Sequence, residues 1–421
     1  MLRKVKAILL ATLALSLILG FRLETRPQED QAFLEGIRYV NITLTAYVCG
    51  VDEVKRPFDV YFPIPPNLEN QKVIFLSFSR DPDEILQDEW NQSVARFRIS
   101  SIEAGEVIPI SMACTVKLTS LKYDVDPEEV GSFQEIPSLL RQLYTRDGEM
   151  YKINDPTIVS SLNEAVEGEE DPYRVVIRVH DYVVERLSYS LDPFWDDAPT
   201  VLRRGEGSCS EYVFAFIALC RAAGIPARFL GGTVLDPSLS GKPLRTEWID
   251  YVFHRWAEVY IPNYGWLPVD VTYDDDDGRD FLFSLTDTYF AFVRSGGGSK
   301  YLGWSYLPSL SQDVNGVLVS ARALWTPMPE AQEALMFIKE ARNLLSQLNV
   351  SREEGEEVRI LLSKAMEAMN DGNFSLALSL SQEAFCKAKE LEKGSRTWIS
   401  MTAVLALILI SLFIVLNKLR S

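Results

Sequence analysis

The stretch from Gly207 to Pro226 constrains this chain more than any other. Ser208 stands three residues before Glu211, the spacing of a capping box, so Ser208 reads as the N-cap and Cys209 as the first helical residue. Tyr212 to Cys220 follows with hardly a polar atom, and Ala223-Gly224-Ile225-Pro226 supplies the stop. A helix of about 15 residues that is apolar all round must run through the middle of a core, with structure laid on every side of it. A thiol in its first turn sits among unpaired N–H groups at the positive end of the dipole, which favours thiolate. Those N–H groups can also receive a developing oxyanion. Cys220, eleven positions further on and about 16 Å along the axis, is too far to bridge and reads as core.

A nucleophilic cysteine needs a base, and the chain has only two histidines. His180 falls within the helical stretch Val175 to Leu187 and reads as structural. His254 opens the alternating run His254-Arg255-Trp256-Ala257-Glu258-Val259-Tyr260-Ile261, a strand. Pro262-Asn263-Tyr264-Gly265 then gives a turn, and Trp266 to Val271 a second strand. If the loop has an odd number of residues, Asp270 projects from the same face as His254, about 5 to 8 Å away between backbones. An even loop puts the two side chains on opposite faces.

Composition narrows the partners. With 42 basic and 59 acidic residues the net charge is −17, which argues against nucleic acid. Five scattered cysteines and two histidines offer no CxxC pair or paired-histidine motif, so no metal site is expected; no GxxxxGK[ST] or GxGxxG is present, and no cofactor is expected either. The run Asp274-Asp275-Asp276-Asp277-Gly278 invites a calcium reading, but an EF-hand register would place Tyr273 at the first ligand position and Ser284 where a bidentate glutamate belongs. A solvated acidic loop is the expectation.

The two ends point to a membrane. Residues 1–21 carry Arg3, Lys4 and Lys6 before an apolar run from Ala7 to Phe21, the geometry of a signal peptide or an uncleaved signal anchor. Trp398 to Leu416 is 19 residues without a charge, followed by Lys418 and Arg420, so a transmembrane helix is expected over 398–417. The positive-inside rule then makes both termini cytoplasmic and the main domains extracytoplasmic, at a cell membrane. The exposed portion holds 37 basic and 59 acidic residues, a net charge of −22. Sequons at Asn41, Asn91, Asn349 and Asn373 all fall within it.

Between the ends, short apolar runs alternating with turn residues predict a β-sandwich over 33–125. Cys49 and Cys114 close its first and last runs; they form either a bridge, which an oxidising exterior allows, or two small buried thiols. An α+β core with leading helices is expected over 126–325. A helical hairpin follows over 328–393, read as a stalk holding the core off the membrane.

Four blocks carry a family resemblance: Gly207-Ser208-Cys209-Ser210-Glu211, Leu219 to Arg228, His254-Arg255-Trp256-Ala257-Glu258-Val259-Tyr260, and Gly265-Trp266-Leu267-Pro268-Val269-Asp270. In content and order they resemble the core of the transglutaminase-like superfamily, running here from near Pro156 to Val293. Phe62-Pro63-Ile64-Pro65-Pro66 and Trp90-Asn91 are similar to the β domain that often precedes such a core. The resemblance implies a papain-like fold, a buried helix packed on an antiparallel sheet, and a Cys-His-Asp triad at Cys209, His254 and Asp270. Glu211 stands where many relatives carry aspartate. The implied chemistry is acyl transfer from a polypeptide amide at the cell surface through a thioester, resolved by water or by an amine. The alternative is a non-catalytic adhesion or scaffolding protein that keeps the core for shape. Trp195 is the candidate for a substrate wall.

Overall fold

Alternating apolar and polar residues along Ile37–Gly50 and Val107–Thr119 bury every second side chain, and the two long strands pair antiparallel at the centre of a five-stranded sheet. A computed structural model describes residues 36–393 apart from 192–193, 237–240, 243, 246–252, 276–279, 311–313 and 349–352. The sheet runs in the order Leu244–Arg245, Val317–Pro327, Ile37–Gly50, Val107–Thr119, Gln71–Phe78. A second sheet, ordered Ser309–Leu310, Phe58–Pro63, Ser93–Ile99, Glu84–Gln87, lies over it. Phe78 of the first sheet meets Phe62 and Phe97 of the second edge-to-face, at centroid distances of 6.1 and 5.3 Å.

Two expectations meet a different arrangement here. Val317–Pro327, expected within the core at 126–325, pairs instead with the first strand of the sandwich, from Val40↔Pro327 to Gly50↔Val317. Without it the 14-residue strand Ile37–Gly50 would be a long open edge, a template for aggregation. The bridge between Cys49 and Cys114 is excluded by register. Cys114 pairs with Ile42, seven positions before Cys49, which sets the two about 23 Å apart along the strand. Both thiols are free, and burial pushes that of Cys114 up to about 12. Thiol titration in denaturant without reductant should therefore count all five cysteines of the chain; a count of three would mean that one pair had oxidised.

The core forms around the apolar helix, Cys209–Ala222, in which every residue through Arg221 is buried. It lies on a four-stranded antiparallel sheet ordered Gly265–Val269, His254–Ile261, Ala227–Val234, Tyr289–Ser295. Three further helices pack against it: Pro156–Val166, Pro172–Arg186 and Ala198–Arg204. Their starts are written in the sequence as aspartate followed within two residues by proline. Asp155, Asp171 and Asp197 each accept a first-turn N–H as N-cap. At the far end of the cysteine helix, the buried Arg221 guanidinium donates to the carbonyls of Ala227 and Arg146 at 2.6 and 2.9 Å.

Sandwich and core are stitched by three buried amides. Asn70 Nδ2 donates to the Tyr289 carbonyl at 3.1 Å; Gln71 accepts from Ala291 N–H at 2.8 Å and donates to the Ala291 carbonyl at 2.9 Å; Gln92 accepts from Arg294 N–H at 3.1 Å. Together they pair the outer edge of Tyr289–Ser295, which would otherwise be buried unsatisfied.

After Pro327 come helices Pro329–Leu348, Glu356–Asn370 and one over 374–393. These lie against the sandwich. Phe374 meets Tyr39 edge-on at 5.4 Å, the Tyr39 carbonyl accepts from Met328 N–H at 3.0 Å, and Lys117 reaches Asn370 at 3.4 Å. Among the described residues no helix is long and apolar enough to cross a membrane. The segments expected to do so, 1–21 and 398–417, lie outside the described residues.

Candidate active site

Cys209 opens its helix as the capping box requires: Ser208 N–H donates to Glu211 Oε2 at 2.8 Å. Glu211 is fully buried, and its other oxygen accepts from Arg204 Nη2 at 2.8 Å and from Asp196 N–H at 3.0 Å. One carboxylate thus fixes the helix start, the preceding turn and the 196 loop, and leaves the Cys209 thiol in the first turn with 1% exposure. Cys220, deep in the same helix, has its thiol pushed far up by burial and is inert packing.

The strand His254–Ile261 is joined to Gly265–Val269 by Pro262-Asn263-Tyr264, with Ile261 facing Gly265. Three loop residues are an odd number, so Asp270 falls on the His254 face. Asn263 and Gly265 take positive φ, 71° and 88°, the left-handed backbone that Asn tolerates and that Gly adopts freely for want of a Cβ. His254 Nε2 donates to Asp270 Oδ2 at 2.6 Å. With Nε2 committed to the acid, Nδ1 is the ring nitrogen left for a thiol.

Asp270 has no solvent exposure, and four donors converge on it. Oδ2 takes His254 and the Tyr289 hydroxyl, the latter at 2.8 Å; Oδ1 takes the Thr272 and Tyr273 N–H groups at 3.1 and 3.3 Å. That many donors satisfy the hydrogen-bonding capacity of a carboxylate cut off from water. Tyr273 places its ring 4.9 Å from the imidazole, and burial, then the charges of Asp270 and Cys209, push its hydroxyl up to about 12. Tyr273 thus lies against the imidazole and senses the charge of both the acid and the thiol. Trp256 lies near-parallel to the His254 ring at 6.2 Å and meets Tyr289 edge-on at 5.2 Å.

Arg255, one residue on, points to the helix side. Its guanidinium lies 4.4 Å from the ring centroids of Trp195 and Phe229, 4.7 Å from that of Phe214 and 5.0 Å from that of Tyr306. Trp195, the candidate substrate wall, is half-buried here, stacked on Tyr306 at 6.3 Å with Arg255 over its ring.

His180 is buried on its helix, and its partner was not foreseen. Its Nε2 lies 3.0 Å from Asp274 Oδ2 and its Nδ1 3.1 Å from Asp181 Oδ1. Asp274 is 2% exposed and also accepts from Phe281 N–H at 2.9 Å, so the acidic run begins as an internal anchor rather than a solvated loop. Residues 276–279 of that run lie outside the described residues. Among the described residues, no group of three His, Cys, Asp or Glu side chains could hold a metal ion. Sequence reasoning also missed Tyr289 and Tyr273 as neighbours of the histidine. Tyr289 sits in the run Tyr289-Phe290-Ala291-Phe292, apolar on both faces, where no signal singles out the one hydroxyl.

Residues 160–271 match the family described as the transglutaminase-like superfamily. A protein-glutamine gamma-glutamyltransferase of Pseudomonas aeruginosa is 41% identical over 70 residues, 16% of this chain; the match spans a tenth of that relative's length. A crystal structure described provisionally as a cysteine protease, from Cytophaga hutchinsonii, superposes over 69% of this chain and 91% of its own with a TM-score of 0.50 at 14% identity. The periplasmic domain of TgpA from Pseudomonas aeruginosa aligns over 54% of this chain and 76% of its own, with a TM-score of 0.27 at 18% identity. Residues 160–271 thus form a transglutaminase-like core within a larger mixed α/β chain.

Proposed function

We propose that this chain is a thiol acyl-transfer enzyme in which Cys209 is the nucleophile, His254 the base and Asp270 the acid that orients it. The observation that carries this reading is the 2.6 Å pair between His254 Nε2 and the buried Asp270, on a strand that packs against the helix whose first turn carries Cys209. His254 Nδ1 takes the thiol proton. Cys209 Sγ then adds to an amide carbonyl, and first-turn N–H groups receive the oxyanion. As the tetrahedral adduct collapses, the C–N bond breaks, His254 returns the proton to the departing amine, and a thioester remains on Cys209. Water resolves it to acid; an amine resolves it to a new amide. The substrate is a polypeptide, met outside the cell by a protein that the uncharged run Trp398 to Leu416 anchors in the membrane.

The near-complete burial of Cys209 favours a second reading, a scaffold whose thiol is packing. Alkylation of the native full chain separates the two. The enzyme reading expects rapid, pH-dependent labelling of Cys209 that His254→Ala slows about tenfold or more, and an acyl mass on the Cys209 peptide after acid quench of a reaction with a peptide library. A thiol that reacts only after denaturation would establish the scaffold.

A further inference from the structure

We propose that Tyr289 is a fourth member of the site: a positioning residue whose hydroxyl holds the Asp270 carboxylate and sets the basicity of His254. The inference rests on the acyl-transfer reading and adds to it a residue outside the three-residue apparatus.

Three observations converge. First, the Tyr289 hydroxyl donates at 2.8 Å to Oδ2 of Asp270, the same oxygen that takes His254 Nε2 at 2.6 Å. Two donors on one oxygen compete for its electron density, so the phenol draws charge away from the histidine bond. Second, the phenol is a donor at every working pH, because burial and the neighbouring Asp270 carboxylate push its ionisation far above the ordinary tyrosine range. Third, the tyrosine is held from behind. Its carbonyl accepts from Asn70 of the sandwich at 3.1 Å, its backbone pairs with Val234, and Trp256 packs on its ring. The backbone that carries the hydroxyl to Asp270 is thus held by the sandwich and by the strand Ala227–Val234, apart from the turn after Asp270.

Removing the hydroxyl returns electron density to Oδ2, which strengthens the attraction for a protonated imidazole. The His254 midpoint should rise. In Tyr289→Phe, made in a Cys209→Ala background so that the thiol does not couple to the ring, the midpoint of His254 read by imidazole NMR is expected to move up by about half a pH unit. The chain has two histidines, so two sets of imidazole signals are expected, and His180→Gln assigns them. With Cys209 present, the alkaline limb of thiol reactivity should move up in step. Tyr273→Phe is the control, since it leaves all four donors to Asp270 in place.

An isosteric second variant covers the case in which Tyr289→Phe does not fold. A 3-fluorotyrosine placed at 289 keeps the ring and makes the phenol a stronger donor, so the His254 midpoint should fall. A midpoint that stays put in whichever variant folds, or that moves in the opposite sense, overturns the proposal. The titration needs no turnover, so it decides the role of Tyr289 separately. If wild-type Cys209 labelling is indifferent to His254→Ala, the acyl-transfer reading is what fails.

Discussion

Replacing Asp270 with asparagine is expected to lower the rate of Cys209 acylation about a thousandfold while the fold persists. The amide has nearly the carboxylate's shape but cannot satisfy the same four donors. With its nitrogen at the Oδ2 position, it presents N–H groups to a hydroxyl and an imidazole that both donate there now. Imidazole Nε2 must then become an acceptor, the ring proton moves to Nδ1, and the nitrogen needed to take the thiol proton is blocked. With the amide flipped, its nitrogen faces the Thr272 and Tyr273 N–H groups instead, donor against donor in a site without water access. Both orientations also lose the negative charge that stabilises the imidazolium. The measurement is kcat/KM for acyl transfer across pH beside a melting curve. Activity within tenfold of wild type would show that Asp270 does not orient His254 for this chemistry.

A methyl group at Gly232 should be the costliest small change to the fold. Gly232 pairs with His254 on one side and with Ala291 on the other, at a register shift between Gly231 and Gly232. A Cβ there would stand 1.8 Å from the Phe290 carbonyl oxygen and 2.8 Å from Ala291 Cα, and both are backbone atoms that no rotamer change can move. The strand Tyr289–Ser295 would have to separate from its neighbour, and it is tied on its other edge by Asn70, Gln71 and Gln92. Gly232→Ala should therefore cost about 3 kcal/mol or more and lower the melting temperature by about 5 °C or more. Denaturant unfolding checks it, and a midpoint equal to wild type would mean that the strands part without penalty.

The parts of the site that depend on local rules were readable from the chain. A capping box fixes where a helix starts, so Cys209 could be assigned to a first turn; strand parity linked His254 to Asp270 only on the condition of an odd loop. The three-residue loop itself was open, because Pro262 to Gly265 fits more than one turn. Tyr289, Asp274 and Arg255 were not legible, since each acquires its partner across elements whose pairing no local pattern encodes. The same holds for Val317–Pro327. The sequence places it in the α+β core, and only closure of an edge far back in the chain explains why it leaves the core. Cys49 and Cys114 show the converse: their positions at run ends suggested a meeting, and register, which sequence does not carry, keeps them apart.

The side-chain amides of Asn70, Gln71 and Gln92 bear on how this molecule can be rebuilt. Grafting a foreign N-terminal half onto the core would leave the peptide groups of Tyr289, Ala291 and Arg294 without their present mates in a dry seam. A chimaera that carries over Cys209, His254 and Asp270 but not those three amides would inherit the reagents of the site without the wall on which they are hung.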